Sequence, residues 1–282
     1  MTARRWWGGA LAAPYVAGLT ALLVVPALVT AWLAFTEYHG FRSAEPTGLD
    51  NVWRAFEDDR FGRSLASGAL LALLVVPLRL VLATGAALLL ERRFRGVGAA
   101  RTAVYLPSVV PDAAWALLWL WLLNPLYGPL AGMGAGLLTE AWPTRVGLAL
   151  MLALQVGESF VVALAARRMI PGRYYEVAAV EGASAWFTVH RVTLRLMAPV
   201  LALLALRDVI LVLQVTFVPV LLVTEGGPRE STLTPPLVVY ERAFLYGELG
   251  YASMLSLVLL VSTAAVVGAA AYASRSWLSR TV

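Results

Sequence analysis

Tyr174-Tyr175-Glu176-Val177-Ala178-Ala179-Val180-Glu181-Gly182-Ala183 stands between two long apolar runs, at 146–166 and 199–223. The run is helix-forming, follows a Pro171-Gly172 turn and stops at Gly182, a residue suited to a helix C-terminus. Glu176 falls near the first turn, where the helix dipole favours acids. A second helical stretch is predicted from Ser184 to Leu196, with Ser184 as its N-cap. A mere connector between helices takes about 2–8 residues, yet about 32 separate Arg167 from Pro199. Two short helices meeting at a glycine make a compact lever. Small residues at Ala178, Ala179, Gly182 and Ala183 let a partner surface approach closely.

The rest of the chain explains where such a lever sits. Of 282 residues, 60% are hydrophobic and 14% charged, and the mean hydropathy is +0.75. An ordinary soluble domain carries roughly 25% charged residues. With 22 basic and 17 acidic residues, many of them clustered, the surface of a soluble protein of this length cannot be covered. The composition is that of a membrane protein. Its length suits about six spans of ~20 residues, placed at 12–35, 65–90, 103–123, 146–166, 199–223 and 250–273. Residues 1–282 are read as one all-α transmembrane domain, with 167–198 as its long loop. Arg4 and Arg5 give the first span a superficial likeness to a signal peptide, but it is too long for an h-region. Pro26, Pro77 and Pro111 lie inside spans, where membrane helices tolerate kinks. The absence of cysteine excludes disulfides, thiolate metal sites and cysteine nucleophiles.

Charge placement orients the spans. Six spans put both termini on one side. Together with the 91–101 and 167–198 loops, the termini hold 13 Arg and three acids, Glu91, Glu176 and Glu181. The opposite loops, 36–63, 124–145 and 224–249, hold 7 Arg and 11 acids. The positive-inside rule places the Arg-rich side in the cytoplasm, and with it both termini. The net charge of +5 therefore orients the chain in its lipid and is not a nucleic-acid signal. Trp53, Phe56 and Phe61, beside Glu57-Asp58-Asp59, suggest a short amphipathic outer helix acting as an interfacial anchor.

Ionisable residues within spans are expensive and mark functional sites by default. Here they are Arg79, Asp112, Glu158, Arg207 and Asp208. Arg79 is a partner for Asp112 or Glu158. Arg207 and Asp208 are adjacent, so on a helix they point roughly 100° apart and are not expected to share one spot. Gln155, Glu158, Ser159 and Gln214 are the candidates to line a polar pathway. Trp115 and Trp119 share a helix face, suited to stacking on a sugar ring or to packing. His39 and His190 lie apart and outside the spans, and no H-E-x-x-H occurs, so neither a metal site nor catalytic residues are expected.

The run from Glu176 to Ala183, followed by Arg191-Val192-Thr193-Leu194 and Pro199, resembles the "EAA" loop of ABC-importer permeases. Leu164-Ala165-Ala166 and Ile170-Pro171 resemble its lead-in. Arg101-Thr102, Leu106-Pro107-Ser108, Trp119-Leu120-Trp121 and Asn124-Pro125-Leu126-Tyr127-Gly128 resemble the third span of carbohydrate-type permeases. Val223-Thr224-Glu225-Gly226-Gly227-Pro228, with Thr232, Tyr240, Ala243-Phe244 and Gly250-Tyr251-Ala252, resembles a segment marking the first permease of maltose- and glycerol-phosphate-type systems. The sequence departs from the family pattern at Val177, Glu181, Arg195 and Phe217-Val218-Pro219. The resemblance implies the type I importer permease fold with six spans and a cytoplasmic coupling helix at 174–183. It places Tyr175, Glu176, Ala178, Ala179, Glu181, Gly182 and Ala183 at the docking surface for an ATPase. It implies as partners a sister permease in a heterodimer, two copies of a cytoplasmic ATPase and an extracytoplasmic solute-binding protein, in a bacterial or archaeal inner membrane. No cofactor is expected. ATP hydrolysis belongs to the partner, because no G-x-x-x-x-G-K-[ST] loop occurs in the sequence. The competing reading is an ion-gradient-driven secondary transporter, which commonly carries two repeated halves; no such repeat is visible.

Overall fold

The computed structural model describes residues 13–40, 43–92, 94–124, 126–130 and 138–278. Arg4, Arg5, Arg42, Arg93, Pro125, Arg280 and the start of the first span at residue 12 lie outside the described residues. The elements in chain order are helix α1 (Ala13–Leu33), strands β1 (Thr36–Glu37) and β2 (Glu45–Pro46), and helices α2 (Asp50–Glu57) and α3 (Asp59–Leu90). Then follow α4 (Val97–Val109), α5 (Asp112–Leu122), α6 (Ala141–Leu154), α7 (Gly157–Arg168), α8 (Arg173–Val180), α9 (Ala185–Gln214), α10 (Phe217–Val223), α11 (Pro235–Tyr240) and α12 (Leu249–Leu278).

Four of these helices, α1, α3, α9 and α12, are long and apolar enough to cross a membrane. Two bent pairs, α4–α5 at 99° and α6–α7 at 53°, raise the number of candidate spans among the described residues to six. The third and fourth spans, expected as continuous helices at 103–123 and 146–166, are thus each broken. The fifth differs as well. Its helix starts at Ala185, absorbing the second helix expected in the 167–198 loop, and ends at Gln214 before α10 begins. The cause of the early start is local: Ser184 caps the helix, its Oγ accepting from the Phe187 N–H at 3.3 Å.

The chain forms two compact units, Met1–Gly62 with Val238–Val261 and Arg63–Leu237 with Ser262–Val282. In the first, β1 and β2 pair antiparallel with Thr36 opposite Pro46. The predicted amphipathic helix is α2, which exposes Trp53 and Phe56 and buries Asn51 and Ala55. Phe61, by contrast, is buried. Asn51 donates through Nδ2 to the carbonyls of Ala34 and Thr36, each at 3.0 Å, fixing α2 beside β1. Gly250 closes the other side, where a Cβ would lie 2.1 Å from the Thr36 carbonyl oxygen. An ion-pair network surrounds Asp58 and Glu248. Arg242 reaches Asp58 at 3.1 Å and Glu248 at 3.2 Å, while Arg54 reaches Glu248 at 2.6 Å and lies 3.9 Å over the Tyr251 ring. Burial alone would raise the Asp58 carboxyl. The N–H groups of Phe61 and Arg60, the Tyr251 hydroxyl and the Arg242 charge outweigh it and hold Asp58 below the usual range.

In the second unit, Ala87, Phe160, Ala163, Leu164, Met197 and Leu204 form a buried core joining α3, α7 and α9. The alanines let the helices approach closely, as membrane interfaces require. The Gly226-Gly227-Pro228 segment is not a free loop. The Thr232 hydroxyl donates to the Gly227 carbonyl at 2.7 Å and lies 2.8 Å from the Thr224 hydroxyl, and Leu233, Thr234 and Leu237 are buried beneath it.

Candidate functional site

The loop helix α8 is terminated by backbone chemistry. Gly182 adopts φ +69°, a left-handed conformation that suits glycine. Its N–H bonds the Ala179 carbonyl at 3.1 Å, and the Ala183 N–H bonds that of Ala178 at 2.9 Å. This is the paired closure of a Schellman motif. The helix is anchored on one face by the buried Ala178 and by Tyr175, whose hydroxyl lies 3.1 Å from Thr193 Oγ1 near the start of α9. Arg167 lies 4.4 Å over the Tyr175 ring and pairs with Glu91 at 2.9 Å. The opposite face is unpartnered: Glu176, Ala179, Glu181 and Gly182 are exposed, Ala183 is half-buried, and Val180 is 88% exposed.

A second constellation lies within the membrane-spanning part. Three backbone breaks, at 110–111, 155–156 and 215–216, occur in residues whose neighbours line one cavity of about 230 Å³. Interrupted helices at membrane depth are tolerated where they line a cavity or are buried in protein. The cavity is lined by Arg79, Asp112, Gln155, Glu158 and Arg207, with Ser108 and Thr216. Arg79 donates through Nη1 to Asp208 Oδ1 at 3.3 Å and through Nη2 to the Leu152 carbonyl. Arg207 pairs with Glu158 and approaches Asp208 Oδ1 at 3.4 Å. Gln155 Nε2 donates to Asp112 Oδ1 at 3.2 Å, and the Gly157 N–H donates to Ser108 Oγ at 2.7 Å. Gly157 is needed there, because a Cβ would lie 2.8 Å from the Tyr105 carbonyl. Asp208 is fully buried and Arg79 nearly so; Arg79 Nε and Asp208 Oδ2 have no hydrogen-bond partner among the described residues.

No family model matches the chain. Its relatives are informative. The probable ABC transporter permease protein YesP of Bacillus subtilis is 32% identical over 266 residues, covering 90% of this chain and 85% of the relative. The diacetylchitobiose uptake system permease protein NgcF of Streptomyces coelicolor is 29% identical over 255 residues, covering 83% and 71%. The chain belongs to the ABC transporter permeases. Its fold agrees with that of a bacterial ABC transporter involved in import of the acidic polysaccharide alginate, with TM-score 0.83 over 96% of each chain at 23% identity. The protein is therefore a multi-pass membrane transport subunit of an ATP-driven importer, and the ion-gradient-driven alternative is set aside.

Within this permease, the cavity brings together two of the five pathway candidates, Gln155 and Glu158. Trp115 does not line it; its Nε1 donates to the Met151 carbonyl at 3.1 Å, and its ring meets Trp119 edge-on at 6.0 Å. Ser159 is buried away from it, and Gln214 donates to Thr263 Oγ1 at 2.9 Å. Arg79 pairs with Asp208 and not with Asp112 or Glu158. Arg207 and Asp208 do share one cluster, because the long Arg207 side chain folds back across the angle that separates their Cβ atoms. Thr216 lines the cavity although sequence reasoning did not single it out, and so does Ser108, which entered only within the Leu106-Pro107-Ser108 resemblance and not as a pathway candidate. Further sequence signals beside the breaks are Pro111 and the small residue Gly157.

Proposed function

We propose that this permease carries a carbohydrate or related polyol across a bacterial inner membrane, with both termini cytoplasmic and residues 1–282 acting as one permease domain. In this reading it pairs with a sister permease, receives its substrate from an extracytoplasmic solute-binding protein and is driven by two copies of a separate ATPase. Tyr175, Glu176, Ala178, Ala179, Glu181, Gly182 and Ala183 form or support the surface that docks in an ATPase cleft. The observation that carries the reading is α8 itself: a short helix closed by Gly182, pinned through Tyr175 to Thr193, with an exposed face of valine and alanine. Movement of α8 would pass directly into α9, which carries Arg207 and Asp208 at membrane depth, as alternating access requires. Carbohydrate is favoured by the relative NgcF, a permease of diacetylchitobiose uptake. A second solved structure, of a bacterial alginate ABC transporter in complex with a pentasaccharide-bound periplasmic protein, supports a solute-binding protein as donor.

The test is co-purification of the tagged permease with its ATPase, comparing the native chain with Ala179→Arg. Ala179 is helical and exposed, so the substitution leaves the fold intact. The native chain is expected to retain the ATPase and the variant to lose most of it. Equal retention by both would remove α8 as the docking element.

A further inference from the structure

We infer that the cavity bounded by the three helix breaks is a subsite for an uncharged polyhydroxylated ligand, and that its ion pairs exclude phosphorylated, sulfonated or uronate ligands. The inference rests on the proposed transport role and adds a substrate class to it. Relatives do not decide this point. One is named for diacetylchitobiose, an uncharged disaccharide, and the solved neighbour imports an acidic polysaccharide.

The charges decide it. A site for an anion needs a guanidinium or ammonium left available, usually in bidentate geometry. Both arginines that line this cavity are already engaged. Arg79 is held by Asp208 and the Leu152 carbonyl, and Arg207 by Glu158 and Asp208. Two guanidiniums thus share three carboxylates once Asp112 is included, so no unpaired positive charge is left to attract an incoming anion. Hydroxyl groups meet the opposite situation. The exposed Asp112 and Glu158 carboxylates accept charge-assisted hydrogen bonds. Ser108 Oγ accepts from the Gly157 N–H and keeps its own proton to donate. At about 230 Å³ the cavity is smaller than the ~300–1,000 Å³ of drug-sized sites, which suits one sugar ring or a short polyol.

The experiment uses the assembled transporter, this permease with its sister permease and ATPase, in lipid nanodiscs. Thermal stability is measured against two pools at matched ionic strength. One contains neutral mono- and disaccharides and polyols, the other sugar phosphates, sulfonated sugars and uronates. The neutral pool is expected to raise the Tm saturably and the anionic pool to leave it unchanged. Asp112→Ala should weaken the apparent affinity for the neutral pool at least about tenfold. Glu158→Gln, which leaves Arg207 only the Asp208 carboxylate that it shares with Arg79, should confer a response to the anionic pool. Both residues are exposed, so neither variant threatens the fold. A native response to the anionic pool, a response to neither pool, or a neutral response that Asp112→Ala leaves unaltered overturns the inference, as does a Glu158→Gln variant that stays blind to anions. Retention of the ATPase in the same preparation judges the transport role separately, so the two failures are told apart.

Discussion

Two networks of arginine and carboxylate do different work in this permease. Around Asp58 and Glu248 the groups are partly open to solvent, each acid is shared between a guanidinium and other donors, and the result ties α2 to the start of α12. Around Arg79 and Asp208 the pair is almost fully removed from solvent, and a nitrogen and an oxygen are left without partners. The first network can lose a member and let water take its place. The second cannot, because no solvent reaches the group left behind. Stapling is served by the solvent-open arrangement. The buried one keeps charges at membrane depth, where they earn their place only by function.

This contrast is breakable by mutation. The largest effect is expected from Asp208→Ala, which strands Arg79 as an uncompensated buried charge. A loss of about 3–5 kcal/mol is expected from such a change, read as a fall in thermal stability and in the monodisperse fraction of purified transporter. Arg79→Met combined with Asp208→Leu should recover most of that loss while abolishing transport. Next comes Gly250→Ala in the first unit, where the added methyl meets the Thr36 carbonyl and β1 must shift. About 1–3 kcal/mol is expected, as for overpacked sites, by the same unfolding measurement.

Asp58→Asn removes a carboxylate but keeps an acceptor and should lose about 1–2 kcal/mol. Its pH dependence follows from sign. Asp58 is held below 3.8 in the folded protein, so its contribution is complete above that value and disappears as the pH falls through the lower, folded-state one. The stability gap between the native chain and Asp58→Asn should stay constant from neutrality down to that region and close below it. A gap that closed near neutral pH would remove the carboxylate as its source. The smallest effect is expected for Arg54→Ala. Its side chain is 46% exposed, and exposed pairs contribute under about 1 kcal/mol. A loss as large as that of Asp208→Ala would erase the distinction between the networks.

Signals that act within a few residues are readable in the sequence. Gly182 stops α8 through its own backbone freedom, and Ser184 caps α9 with its own hydroxyl. Apolar runs locate the membrane-crossing segments because lipid imposes a length and a composition. The breaks are hidden for the converse reason. At 155–156 there is no proline, and the helix is interrupted where Gln155 turns to Asp112 and the Gly157 N–H to Ser108, both more than forty residues away. The pairing of Arg79 with Asp208 spans 129 residues and depends on how α3 and α9 are rotated about their axes. Ser159 and Gln214 are candidates on polarity alone, and rotation turns both away from the cavity.

One feature of α9 bears on how such permeases vary in length. Near its start, Thr188–Thr193 is wound as a π-helix, a wider turn that holds more residues per revolution than an α-turn. A stretch of this kind separates the count of residues from the angular phase of the helix. Insertion or deletion of a single residue there would be taken up by tightening or widening the turn, leaving Tyr175 against its partner on one side and Asp208 facing inward on the other. The same change further along α9 would swing everything after it by about 100° and carry Asp208 into lipid. Gaps between related sequences should therefore collect at Thr188–Thr193 and be purged from the remainder of the helix.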